Sequence, residues 1–160
     1  MRRRHLLLTL ALLALPLPAL AEEQPEVLAY YWLDSGGLPP EYAWSVEVAI
    51  ATDGKVTLKD CKGYETEPPG CKIRKGKTTP ERLQAIRDAV AASGLVDKPA
   101  RPADEVMVGG GSAGGKVLLD GMEVPLISQP AAEDAARVGQ VLAAIRDAMP
   151  RRFLKFVTDR

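Results

Sequence analysis

The chain has 160 residues, with 21 Lys and Arg balancing 21 Asp and Glu, and only two cysteines and one histidine. A chain without a positive excess lacks the electrostatic footprint of a nucleic-acid binder, so no nucleic-acid partner is expected. The histidine is His5, which lies in a segment read below as a removable leader. The remaining chain therefore has no Ser-His-Asp or Cys-His apparatus, no histidine-ligated zinc or copper and no imidazole proton switch.

Arg2, Arg3 and Arg4 form a basic start, residues 6–17 an apolar stretch too short for a stable anchor, and Ala19-Leu20-Ala21 a small-x-small cleavage pattern. The expectation is a signal peptide over residues 1–21, cut after Ala21, and one domain over residues 22–160, with residues 150–160 a basic and aromatic tail. Arg3-Arg4-His5 only loosely matches a twin-arginine signal, and no cofactor site downstream calls for folding before export. No later apolar run approaches the roughly 20 residues of a membrane span, so a periplasmic or secreted destination without transmembrane anchoring is expected. In that oxidising setting Cys61 and Cys71 read as one disulfide.

Residues 27–33, Val-Leu-Ala-Tyr-Tyr-Trp-Leu, form an apolar and aromatic run that ends in the turn cluster Asp34-Ser35-Gly36-Gly37. The run predicts a strand covered on both faces. Tyr42, Trp44, Val46, Val48 and Ile50 then alternate with smaller or polar residues, predicting a second strand. Thr52-Asp53-Gly54 turns the chain into a third strand carrying Val56 and Leu58. A two-residue turn would pair Ile50 with Thr57 and split the apolar residues between faces. A bulged turn with Gly54 left-handed pairs Ile50 with Val56, and this register is the one expected.

Between Cys61 and Cys71 the chain reads Lys-Gly-Tyr-Glu-Thr-Glu-Pro-Pro-Gly, a tethered surface loop. Lys72, Arg74, Lys75 and Lys77 follow as a basic run. Thr79-Pro80-Glu81 opens a helix with Leu83, Ile86 and Val90 on its apolar stripe and Gly94 as its stop. Asp120-Gly121 makes a two-residue hairpin turn that pairs Leu119 with Met122 and Val117 with Val124. Ser128 or Gln129 is expected to cap a second helix opened by Pro130, with Val138, Val141, Leu142, Ile145 and Met149 at helical spacing and Pro150 at its end. The predicted fold is α+β: an antiparallel sheet of about five strands with two helices on one face, in the order β-β-β-α-β-β-α. Phe153 and Phe156 in the tail are expected to dock partly on the body.

Two motifs overlap in the glycine-rich stretch 109–116 and neither holds. Gly110 to Lys116 satisfies most of a phosphate loop, but Val117 stands where a magnesium-binding hydroxyl is required, and a strand rather than a helix follows. Gly110-Gly111-Ser112-Ala113-Gly114 fits a nucleophile elbow that has no histidine to serve it, and Lys116 matches no serine-lysine signature. Glycine density accounts for both matches. Carboxylate chemistry through Glu65 and Glu67, or Asp104 and Glu105, needs a deep cleft that a domain of this size seldom has. No catalytic residue, cofactor or metal ligand is assigned. Tyr30, Tyr31, Trp32, Tyr42 and Trp44 are read as core or cross-strand pairs rather than a stacking platform.

The order of elements over residues 42–149, with the Asp120-Gly121 hairpin, resembles that of emfourin-like domains, small bacterial inhibitors of metallopeptidases. The disulfide loop and leader have no counterpart in that pattern, and no inhibitory residue is carried over. The resemblance implies a peptidase as partner. The leading functional expectation is an exported, non-enzymatic protein-binding module. Its binding surface would be the disulfide loop: Tyr64 as aromatic anchor, Pro68 and Pro69 limiting entropy, and Glu65, Glu67, Lys72 and Arg74 around them. An envelope structural protein without a discrete site is the alternative, and a small carboxylate-dependent hydrolase the third.

Overall fold

The computed structural model describes residues 26–105 and 109–158; the leader expected over residues 1–21 lies outside them. Six strands form one antiparallel sheet: β1 (Val27–Asp34), β2 (Trp44–Ala51), β3 (Lys55–Lys62), β4 (Cys71–Lys77), β5 (Ser112–Leu119) and β6 (Met122–Leu126), arranged β4-β3-β2-β1-β5-β6. Three helices, α1 (Pro80–Ser93), α2 (Ala132–Asp147) and α3 (Arg151–Thr158), complete an α+β fold. No helix among the described residues is long and apolar enough to cross a membrane.

The helices cover one face. Val46, Val48 and Ile50 of β2 lie beside Val56 and Leu58 of β3 and Ala29 and Tyr31 of β1, and all are buried with Leu83, Ile86 and Val90 of α1 and Val138, Val141 and Ile145 of α2. Ile50 pairs with Val56 and Val48 with Leu58, as the apolar pattern requires. The Gly54 amide donates to the Ala51 carbonyl at 3.0 Å and the residue holds φ +81°, the left-handed position of the bulged turn. Leu119 pairs with Met122 and Val117 with Val124 across Asp120-Gly121, both with positive φ. Val117 and Val124 enter the core, whereas Met122 at the hairpin tip is exposed.

The element count differs from expectation in two places. The basic run after Cys71 is an edge strand, β4, whose lone exposed apolar residue is Ile73. Its lysines keep an open sheet edge from pairing with another chain, and Pro125 does the same in β6 at the other edge. The segment expected as a tail is α3, begun when the Phe153 amide bonds the Pro150 carbonyl at 2.7 Å. Phe153 is buried and Phe156 partly buried against the core, so the tail docks.

Two starts also moved. α2 begins at Ala132 rather than Pro130, because residues 129–131 pair with the connector after α1: Ala103 donates to the Gln129 carbonyl at 2.9 Å and Ala131 to the Arg101 carbonyl at 2.8 Å. β5 begins at Ser112, so part of the glycine-rich stretch is strand. A Cβ on Gly114 would fall 2.6 Å from the Trp32 ring and one on Gly115 2.3 Å from the Tyr30 carbonyl. These glycines let β5 lie flush against β1.

Asp134, 2% exposed, locks the connector onto α2. Its carboxylate accepts the Arg101 amide at 2.8 Å and Arg137 Nη2 at 2.6 Å, while Arg137 Nη1 reaches the Ser93 and Lys98 carbonyls, each at 3.1 Å. The Arg101 amide first, and Arg137 second, hold this carboxyl below the usual carboxylate range. Folding therefore gains stability above the unfolded carboxyl pKa and loses it as pH falls through the lower folded value. Denaturation followed against pH is expected to show wild-type stability falling below about pH 4, with a shallower acid limb in Asp134→Asn. Parallel acid limbs would contradict this role for Asp134.

Candidate functional site: the loop end of the sheet

Because β1 ends at Asp34, β2 starts at Trp44, β3 ends at Lys62 and β4 starts at Cys71, antiparallel pairing brings the loops 35–43 and 63–70 to one end of the sheet. Cys61 and Cys71 stand directly opposite each other, disulfide-bonded with Cα atoms 4.0 Å apart. Inside the loop so closed, the Cys71 amide donates to the Glu67 carbonyl at 3.2 Å and Lys62 to Gly70 at 3.2 Å. Lys59, paired with Glu47 at 2.8 Å, also reaches the Thr66 carbonyl at 3.3 Å. The Pro68-Pro69 bond is cis.

The two loops are clipped together. The Gly63 amide donates to the Ala43 carbonyl at 2.8 Å, and the Tyr64 hydroxyl donates to the Leu38 carbonyl. Within loop 35–43, the Pro39 carbonyl accepts both the Tyr42 and Ala43 amides at 2.9 Å, while Ser35 Oγ accepts the Trp44 amide at 3.0 Å. That double turn takes Tyr42 out of the alternation expected of it, and β2 begins two residues later. Leu38, Tyr42 and Tyr64 are 42%, 67% and 63% exposed. Three large side chains with apolar bodies thus stand in water on two tied loops.

The predicted site residues divide. Glu65, Pro69, Lys72 and Arg74 line one cleft of about 290 Å³ with Asp60 and Lys62. Tyr64 lies on the side facing loop 35–43, with Ser35, Gly36 and Ala43, and its ring is not a plug beneath the loop. Glu67 and Pro68 are exposed at the tip. Sequence reasoning missed Leu38 and assigned Tyr42 to a strand; the signal available was Leu38-Pro39-Pro40 directly after the Asp34 to Gly37 turn cluster.

Ser112 Oγ lies 3.1 Å from both carboxylate oxygens of Asp34, and Lys116 is paired with Glu123 at 2.8 Å. Four residues along a strand separate Ser112 from Lys116 by about 13 Å, beyond any proton transfer between them. On the helix-free face, burial and then the bond to Glu47 push the Tyr30 hydroxyl pKa up, and Trp32 lies over Gly114. Both rings are partly buried on that face. Among the described residues no group of three His, Cys, Asp or Glu side chains is placed to hold a metal ion.

No family model and no curated protein matches the chain.

Proposed function

We propose that the chain is an exported, non-enzymatic protein-binding module that recognises its partner through the loop end of the sheet. The peptidase class of partner follows from the emfourin resemblance. The observation that carries the reading is the exposure of Leu38, Tyr42 and Tyr64 on two loops held by a disulfide, a main-chain bond and the Tyr64 hydroxyl. Rigid aromatic anchors lose little entropy on association, and loops already ordered lose less still. Glu65 and Thr66 beside Tyr64 supply the polar rim that such patches use.

Tyr64→Ala is expected to weaken partner binding by about 1–3 kcal/mol while shifting unfolding by at most about 1 kcal/mol, the net worth of one exposed hydrogen bond. The check is capture from envelope and culture fractions by wild type and by the triple variant Leu38→Ser, Tyr42→Ser, Tyr64→Ser, with melting curves run beside it. A partner retained by wild type and lost by a folded triple variant supports the reading. Equal capture by both, or by neither, moves the chain to a structural role in the envelope.

A further inference from the structure

The edge formed by β4 and α3 gathers charge of one sign. β4 reads Cys-Lys-Ile-Arg-Lys-Gly-Lys and α3 Arg-Arg-Phe-Leu-Lys-Phe-Val-Thr, with no acid in either. Gly76 allows the approach: a Cβ there would meet the Pro150 ring at 2.7 Å and the Phe153 ring at 3.2 Å. With α3 so seated, Arg152 donates to the Lys75 carbonyl at 2.5 Å and lies 5.5 Å from the Phe153 ring centroid. Arg74 and Lys155 lie 4.5 and 5.2 Å from the Phe156 centroid. Ring faces hold cations in position without neutralising them. Among the described residues no carboxylate is within ion-pair distance of Arg74, Lys75, Arg152 or Lys155, and Arg74 Nε is buried without an acceptor.

These four cations, with Phe153 and Phe156, line a cleft of about 290 Å³. Four positive groups on one concavity repel each other, and an entering anion relieves that repulsion. We propose that this cleft is a second binding site, which takes the phosphate of an anionic lipid headgroup at a membrane surface. Guanidinium forks match phosphate oxygens two at a time, and Arg74 and Arg152 supply two such forks. The lipid source is favoured over a lone small anion because the positive field does not stop at the cleft. Lys72 lies on the same face of β4 as Arg74, while Lys77 and Ile73, 54% exposed, lie on the opposite face, so positive charge flanks both sides of this strand edge. A charged edge of this kind meets a planar anionic surface edge-on, where each Lys or Arg contributes about 1 kcal/mol. The chain as a whole has no net charge, so the effect is local to this edge.

The site shares Arg74 with the cleft beside the disulfide loop but none of Leu38, Tyr42 and Tyr64, and the α3 variant below touches the edge site alone. Purified protein is sedimented with vesicles of phosphatidylcholine alone and of phosphatidylcholine mixed with phosphatidylglycerol. Binding is expected only to the mixed vesicles, and to weaken as salt rises. Arg152→Gln with Lys155→Gln should lower the partition about thirtyfold, and Lys72→Gln with Lys77→Gln, on exposed stems, should lower it without touching the α3 contacts. Tyr64→Ala should leave it unchanged. The proposal is overturned if neither vesicle binds, or if both charge-removed proteins are folded and bind as wild type. Saturable binding of inorganic phosphate or polyglutamate without sedimentation on vesicles also overturns it, assigning the cleft to a soluble anion or an acidic protein.

Discussion

Phe153→Ala is expected to cost about 3–5 kcal/mol and to detach α3 from the sheet. Phe153 is 1% exposed and heads the fully buried side chains by volume. Its ring covers Gly76 of β4, a floor without a side chain that could collapse into the void left behind. The eight residues of α3 are too few to remain helical alone, so losing this anchor means losing the helix as well as the contact. A change of this size is a large fraction of the roughly 5–15 kcal/mol that holds a domain folded. Urea denaturation gives the magnitude, and trypsin cleavage at Arg151, Arg152 and Lys155 reports the detachment. A variant within about 1 kcal/mol of wild type, with α3 still protected, would show that the helix rests on the body without belonging to the core.

Removing the disulfide by Cys61→Ala with Cys71→Ala is expected to cost about 3 kcal/mol, the loop-closure entropy of a cross-link over a ring of this length. The cysteines are cross-strand partners ten positions apart, so the bond closes only the β3–β4 loop. Its loss should widen the conformations open to residues 63–70 while the β2–β3 register, fixed by Val48, Ile50, Val56 and Leu58, persists. Partner binding should fall in parallel, since association must then order the loop itself. Denaturation of wild type with and without reductant, set against the double variant, measures the first effect. Unchanged midpoints in all three would mean that the bond adds nothing to the hairpin.

Elements whose local signals agreed with their burial were legible in the sequence. Thr79-Pro80 and Gly94 bracket α1 because proline suits a first turn and Gly94 takes φ +63° at its end. The Ile50 and Val56 register followed from one-sided burial. β4 was not legible, because an edge strand held by a neighbour and a disulfide needs no apolar alternation, and its lysines read as a solvated run. α3 was hidden by its shortness: what makes it a helix is Phe153 over Gly76, a contact between residues 77 positions apart. The glycines of β5 argued against a strand until the closeness of Tyr30 and Trp32 was known. In the candidate site the disulfide loop was legible from its cysteines and prolines. Its neighbours Leu38 and Tyr42 were not, since their exposure depends on the Gly63 to Ala43 bond and the double turn at Pro39.

Recognition by the loop end is tested most directly by photo-crosslinking from defined positions in the native compartment. A benzophenone side chain in place of Tyr42, at the loop end, is compared with one in place of Gln84, on the exposed side of α1. The account predicts a discrete protein adduct from position 42, absent from position 84, and diminished when Tyr64→Ala is added. Adducts of equal yield from both positions, or none from position 42 while position 84 gives one, would contradict it.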